Sequence, residues 1–275
     1  MFADLAPLGW GALTLLALAA LLSGFAKTAV GGVGLISVAT FAAVLPSRAS
    51  TGALLPLLIV GDVIAVRAYR AHADWGTLAR LVPAVALGVL VGVGFVSWVD
   101  DTVMRRAIGG VLLVLLALQL GARRRASREA DGRDADGREV DGRDADGTLD
   151  QVGDTGRPTR WWTRWGFGSM AGFTTMVANA GGPAMSLYLL SARFSVMGFL
   201  GTTSWFFFVI NVIKVPFSIG LGLITRTSLL LDLALVPAVL LGTWVGRRVI
   251  GRIEQELFER LVLATTLLSG LNLLR

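Results

Sequence analysis

Cysteine is absent from this 275-residue chain, and histidine occurs once, as His72. Without cysteine the chain has no disulfide scaffold, and one histidine alone cannot supply a His/Cys zinc site or a Cys/His nucleophile. A Walker-type phosphate loop is also missing, so the chain itself is not expected to be an ATPase. The sequence therefore predicts no enzyme, no metal and no cofactor. His72 lies in a charged loop and is predicted to be solvated.

Charge is scarce and unevenly placed. Only 16% of the residues are charged, against about a quarter in a typical soluble domain. Residues 122–160 hold nine arginines and ten acidic residues, a net charge of 9 − 10 = −1, and contain the string DGRDADG at 131–137 and again at 141–147. This segment has nothing apolar to bury and is predicted to be a disordered linker. A calcium loop is not expected, because arginine occupies the third position, where such a loop needs an oxygen ligand.

The rest of the chain carries 16 basic and 9 acidic residues, a net charge of 16 − 9 = +7, placed mostly in loops between long apolar runs. This distribution argues against nucleic-acid binding, although the whole chain has a net charge of +6. About 20 apolar residues span a bilayer as a helix, so the runs predict an all-α polytopic membrane protein in contact with lipid. The runs are 9–26, 33–46, 50–66, 77–98, 105–121, 165–179, 181–192, 198–221, 228–246 and 257–274.

The sequence on one side of the linker resembles the sequence on the other. LVPAVALGVLVG at 81–92 matches LVPAVLLGTWVG at 235–246 in nine of twelve positions. The likeness continues upstream, where Gly24-Phe25 matches Gly172-Phe173, Gly31-Gly32 matches Gly181-Gly182, and Asp62 falls opposite Asn211. The match predicts two repeats of about five segments, 8–10 segments in total.

Arginine placement predicts opposite orientations for the two repeats. Cytoplasmic loops are rich in Arg and Lys, and arginine follows the third segment of the first repeat but the fourth segment of the second. An inverted-topology repeat of this kind is common in transporters. We expect a first membrane repeat at 1–121, a cytoplasmic linker at 122–160 and a second membrane repeat at 161–275.

Two glycine-rich stretches, AKTAVGGVG at 26–34 and VANAGGPAM at 177–185, occupy matching places in the repeats. Glycine and proline interrupt helices, and backbone left unpaired in a bilayer must be buried or line a cavity. Half-helix N-termini there would point amide groups at an anion. Close packing of helices through small residues is the alternative. The candidate amides are those near Gly31, Gly32, Gly181 and Gly182.

Few polar side chains lie within the apolar runs, and such residues are expected to be functional. Lys27 and Lys214, the only lysines, are candidate anion contacts, although Lys27 could also extend to the interface. Asp62 is a candidate proton carrier, or else pairs with Arg67. The amides of Asn179 and Asn211 could hydrogen-bond an oxyanion or join helices.

These motifs together resemble the TauE/SafE family of sulfite-exporter-like permeases. The resemblance rests on AVGGVG after the first helix, Asp74-Trp75 ahead of P-x-x-x-x-G-x-x-x-G, N-A-G-G-P from Asn179, and the second P-x-x-x-x-G-x-x-x-G from Pro237. It covers nearly the whole chain except the linker. The N-x-x-K run from Asn211 to Lys214 also resembles the family's second-half helix.

The resemblance implies an inner-membrane permease that moves sulfite, sulfonates or related organosulfur anions, mostly outward. We therefore predict a secondary transporter with a central oxyanion site at the two helix breaks. An anion channel and a membrane interaction protein without a transport cycle remain alternatives, and the sequence leaves open whether the chain forms a homo-oligomer.

Overall fold

The computed structural model describes residues 9–28, 33–135, 161–191 and 196–249, and these are helical throughout apart from short turns, with no strand. Nine of the ten predicted apolar segments coincide with a helix, and the tenth, 257–274, lies outside the described residues. The helices are α1 (Gly9–Thr28), α2 (Gly34–Val44), α3 (Ser47–Tyr69), α4 (Trp75–Trp98), α5 (Asp101–Ala135), α6 (Trp161–Ala178), α7 (Gly182–Ser191), α8 (Val196–Gly220) and α9 (Arg226–Val249).

Five of the described helices are long and apolar enough to cross a membrane. The all-helical prediction is thereby confirmed for the described part of the chain. Helix α5 continues to Ala135, past the boundary at 121 that the sequence predicts, and residues 136–160 of the predicted linker lie outside the described residues. The five segments are Gly9–Thr28, Ser47–His72, Trp75–Trp98, Met197–Gly220 and Arg226–Arg248.

Helices α1 and α9 pack together through glycines. A Cβ atom on Gly24 would meet the carbonyl group of Val239, and a Cβ atom on Gly242 would meet the carbonyl group of Leu21. Further along both helices, Gly246 lies against Phe25 and Thr28. From the Gly242–Leu21 contact to the Gly246–Phe25 contact, the residue numbers rise along both helices, which are therefore parallel. Their backbones approach closely because the glycines have no side chain.

Helices α4 and α6 make the same kind of contact. Gly172 faces the carbonyl group of Val85, and Gly88 faces the carbonyl group of Ser169. Gly92 then meets Met176, so these helices are also parallel. Gly24 and Gly172 are equivalent positions in the alignment of the two repeats. Gly88 and Gly242 are equivalent as well.

Helices α3 and α8 run antiparallel. Near the start of α3, Gly52 packs against Leu223, just after α8, whereas Gly201 near the start of α8 packs against His72, just after α3. Between these two contacts, the amide of Asn211 reaches the carboxylate of Asp62. The two helices therefore cross near their polar residues.

One end of the bundle is fastened by Arg48. Its Nη1 donates to the carbonyl oxygens of Val96 at 2.6 Å and Val99 at 2.8 Å, at the end of α4. Its Nη2 reaches the carbonyl oxygen of Leu221 at 3.4 Å. The backbone amide of Arg48 in turn donates to the carboxylate of Asp101 at 2.9 Å. We call the end formed by Arg48, Val99, Asp101 and Leu221 the Arg48 face.

The opposite end is formed by Tyr69, His72, Gly201 and Thr202, and we call it the His72 face. The backbone amide of Asp74 donates to Thr202 Oγ1 at 3.0 Å, which joins the start of α4 to the start of α8. His72 is exposed, as predicted.

The predicted break at 177–185 is confirmed. Helix α6 ends at Ala178 and α7 begins at Gly182. Asn179 lies between them with φ of 52°, in the left-handed region that asparagine tolerates better than most residues. Pro183 falls in the first turn of α7, where its missing N–H has no cost. In the other predicted break, α1 ends at Thr28 and the amides near Gly31 and Gly32 lie outside the described residues.

Candidate functional site

An ion pair lies where α1, α3 and α8 meet. Lys27 Nζ is 2.7 Å from Asp62 Oδ1, and Asn211 Nδ2 donates to Asp62 Oδ2 at 2.7 Å. The Asp62 side chain is 1% exposed and the Lys27 side chain 13% exposed. Charges this deeply buried are retained only when they are paired, because an isolated ion loses its hydration.

Two neighbours fix the position of the Lys27 side chain. A Cβ atom on Gly61 would lie 3.0 Å from Lys27 Cγ, so the missing side chain there leaves room for the aliphatic part of the lysine. The ammonium lies 4.6 Å from the centroid of the Phe207 ring, within the range of a cation–π contact. Lys27 therefore points inward to Asp62 rather than outward to the membrane interface. Arg67 is exposed, and the alternative pairing of Asp62 with Arg67 is wrong.

The second lysine is fully engaged in a separate network. Lys214 Nζ donates to the carbonyl oxygen of Thr175 at 2.5 Å, to Thr175 Oγ1 at 3.3 Å and to Asn179 Oδ1 at 2.6 Å. These three acceptors match the three N–H groups of an ammonium. Lys214 is 1% exposed and has its partners on α6 and at the break after it.

A cavity of about 100 Å³, measured as the space open to the centres of water molecules, lies beside the Lys27–Asp62 pair. A single water needs about 10–15 Å³ by this measure, so several waters or a small anion fit. The polar residues around it come from both sides of the linker: Ser23, Lys27, Asp62, Thr175, Asn179, Ser186, Thr203, Ser204 and Asn211.

The cavity extends from the Lys27–Asp62 pair toward the His72 face on one side and toward Leu58 and Asn179 on the other. Phe199 and Leu200, at the start of α8, line it together with Ala65 of α3. Leu200 immediately precedes Gly201, which packs against His72.

Five of the predicted site residues line this cavity: Lys27, Asp62, Asn179, Gly182 and Asn211. Lys214 and Gly181 lie next to it without lining it. Gly181 packs against Thr175 and Phe207, and Gly31 and Gly32 lie outside the described residues. Of the seven predicted site residues that the structure describes, the cavity therefore collects all but Lys214 and Gly181.

Sequence reasoning missed Thr175, Thr51 and Phe207. Thr175 was detectable, because the alignment of Gly24-Phe25 with Gly172-Phe173 places it opposite Lys27. Thr51 contributes its backbone oxygen to Asn179 Nδ2 at 2.8 Å, and a backbone acceptor leaves no sequence signal. Phe207 stands in a run of three phenylalanines, which gives no indication of the one that faces the lysine.

The described residues of the site offer an anion one ammonium group, that of Lys27. The part of the chain described here has no group of three or more His, Cys, Asp or Glu side chains that could hold a metal ion. Its only charged cavity residues are one ammonium and one carboxylate, in contact with each other. A small anion could approach the ammonium through the cavity.

The apolar helices, with the Lys27–Asp62 pair buried among them, define a multi-pass helical membrane protein. Residues 16–273 match the family described as Sulfite exporter TauE/SafE. The chain belongs to this family of membrane transporters, which confirms the resemblance seen in the sequence. No curated protein and no solved structure matches the chain.

Proposed function

We propose that the protein is a secondary permease that exports sulfite, a sulfonate or a related small organosulfur anion through the cavity at Lys27. The observation that carries this proposal is the buried Lys27–Asp62 pair with Asn211 at the wall of the cavity. An ammonium is the natural partner of an oxyanion, and the asparagine amides can donate to its oxygens.

Asp62 and the transported anion compete for Lys27. While Asp62 is ionised, it neutralises the lysine, and an incoming anion meets a site with no net charge. When Asp62 takes up a proton, Lys27 is left without a counter-ion, which is unfavourable in a buried site. An anion then restores the charge balance. In this mechanism the proton and the anion bind together and cross together, and the outward gradient of the anion drives export.

The inverted repeat is part of the proposal. It is supported by the paired glycine contacts, because Gly24 of α1, which packs on α9, and Gly172 of α6, which packs on α4, are equivalent in the alignment of the repeats. It is also supported by the contact of Asp62 with Asn211, since two equivalent residues touch each other only near the axis that relates the repeats. The site would then lie on the axis about which the halves rock.

The His72 face is proposed to be cytoplasmic. Arg67, Arg70 and Arg80 lie at or next to this face, and short cytoplasmic loops carry the excess of arginine. The cavity would then open toward the cytoplasm, as an exporter requires when it loads its substrate. The membrane in question is proposed to be the inner, or plasma, membrane.

A flux assay in proteoliposomes tests the function, with sulfite, sulfate, thiosulfate, taurine and sulfoacetate offered in turn. Lys27→Met should abolish anion flux, whereas Lys27→Arg should retain part of it. Arg80→Met is the matched control, because it also removes one positive charge but lies exposed outside the cavity. Flux through Lys27→Met equal to that of the unmodified protein would overturn the assignment of Lys27. Flux that ignores a pH gradient would favour an anion channel.

A further inference from the structure

Asn179 lines the cavity on the side away from the His72 face, next to Thr51 near the start of α3. Its side-chain amide is hydrogen-bonded to Thr51 and Lys214, which do not line the cavity. Asn179 Nδ2 donates to the carbonyl oxygen of Thr51 at 2.8 Å, which connects the α6–α7 break to α3. Thr51 Oγ1 donates to the carbonyl oxygen of Val177 at 3.2 Å. Two hydrogen bonds therefore tie the second half of the chain to the first half beyond the cavity.

Lys214 determines which way the Asn179 amide points. Because the ammonium has only donors, it must face the amide oxygen, Oδ1, at 2.6 Å. The NH₂ group is then turned toward Thr51. Without Lys214, the amide could rotate and lose its donor contact with α3. Lys214 does not line the cavity, so it contacts Asn179 from outside the cavity.

Both helices that meet at this point contain a proline nearby. Pro56 lies in α3, five residues after Thr51, and Pro216 lies in α8, two residues after Lys214. A proline removes one helical hydrogen bond and is a common point of helix bending. The segment of α3 before Pro56 and the segment of α8 after Pro216 meet at the Arg48 face, and they could therefore move without unwinding either helix.

From these contacts we infer that Thr51, Asn179 and Lys214 form a gate that holds the Arg48 side of the cavity closed, which we call the Asn179 gate. This inference rests on the proposed transport function, because a gate matters only if a solute crosses. Opening requires the Asn179 amide to leave Thr51, after which α3 and α8 can separate at the Arg48 face. The gate then completes the path from the cavity to the other side of the membrane.

Cysteine accessibility tests the gate without measuring transport, since the chain has no cysteine of its own. Ser50→Cys and Ser218→Cys would each place one thiol on the closed side, where the serines are 3% and 2% exposed. The full-length protein in proteoliposomes is treated with a membrane-impermeant maleimide from each side. Asn179→Gly is the opening variant, because glycine tolerates the positive φ while losing both side-chain hydrogen bonds.

We expect slow labelling of both cysteines when Asn179 is present. In the Asn179→Gly background, labelling from the Arg48 face should rise about two- to tenfold, as loss of one net hydrogen bond between the halves predicts. Unchanged labelling of both cysteines would overturn the gate, as would labelling that is already fast with Asn179 present.

Three controls separate opening from misfolding. Ser186→Cys, which lines the cavity, should be labelled from the His72 face alone when Asn179 is present, and from the Arg48 face as well in the Asn179→Gly background. Thr51→Val removes the hydroxyl's bond to Val177 and its bond to Ser47 within α3 but keeps the carbonyl that binds Asn179, and it should raise labelling in the same direction by a smaller factor. Thr40→Val also removes a threonine hydroxyl, a partly buried one bonded to Ile36 within its own helix, and should leave labelling unchanged. If Thr40→Val and Thr51→Val act alike, the gate is refuted. Failure of anion flux in the unmodified protein would instead count against the proposed function.

Discussion

Replacing Gly24 by alanine should push α1 and α9 apart, and the cost follows from the geometry of their crossing. The new Cβ atom would lie 3.0 Å from the carbonyl carbon of Val239 and 3.1 Å from the amide nitrogen of Thr243, and closer still to the Val239 oxygen. Ordinary van der Waals contact begins at 3.4 Å, so the helices must separate by at least about 0.4 Å, the difference between 3.4 and 3.0 Å. Overpacking of this kind costs about 1–3 kcal/mol.

Gly94→Ala is the matched control. It makes the same chemical change inside helix α4, but nothing lies within 4 Å of its Cβ position. Both variants gain about 1 kcal/mol from the better helix propensity of alanine. The free energy of unfolding should therefore be about 1–3 kcal/mol lower for Gly24→Ala than for Gly94→Ala.

The assay is unfolding of the purified protein in mixed micelles, followed by the helical circular dichroism signal as denaturing detergent is added. Gly172→Ala should behave like Gly24→Ala, because Gly172 meets the carbonyl group of Val85 in the same way. If Gly24→Ala proves as stable as Gly94→Ala, the close approach of α1 and α9 is wrong. If Gly24→Ala and Gly172→Ala differ strongly, the inverted repeat loses its support.

Two further predictions concern charged side chains. Lys27→Met should lower the free energy of unfolding by about 3–5 kcal/mol, because it leaves Asp62 charged and unpaired. The double variant Lys27→Met with Asp62→Leu should lose less stability than Lys27→Met alone. Additive losses in the same unfolding assay would contradict the pairing. Arg48→Gln should lower the free energy of unfolding by about 1.5–3 kcal/mol through loss of its charged hydrogen bonds at the end of α4. Arg80→Gln, at an exposed position, should have little effect. Equal losses would show that the Arg48 hydrogen bonds do not stabilise the Arg48 face.

The helices could be predicted from sequence because membrane helices are recognisable by their length and apolar composition. The break after α6 was also predictable, since asparagine, two glycines and a proline in succession both end one helix and begin the next. These signals are local, and each depends on residues adjacent in the chain. The same reasoning did not locate the end of α5, where the apolar run stops at 121 but the helix continues to Ala135.

The roles of the two lysines could not be separated from sequence. Lys214 lies deeper in its apolar run than Lys27 does, yet Lys27 lines the cavity and Lys214 is enclosed by Thr175 and Asn179. Depth in a run does not give the direction of a side chain around its helix or the partner that it meets. The Asp62–Asn211 contact, by contrast, was implicit in the repeat, because the alignment already placed these residues opposite each other.

The most direct test of the central claim measures sulfite and protons together. Proteoliposomes are loaded with a pH-sensitive dye, an outward or inward sulfite gradient is imposed, and protein-free vesicles give the passive leak. The unmodified protein should move one proton with each anion, in the same direction. Asp62→Asn keeps the position of the side chain but removes the carboxylate, and should still move sulfite while moving no protons. Equal proton movement by both proteins would contradict the role of Asp62, and no sulfite flux above the leak in the unmodified protein would contradict the proposal of a sulfite permease.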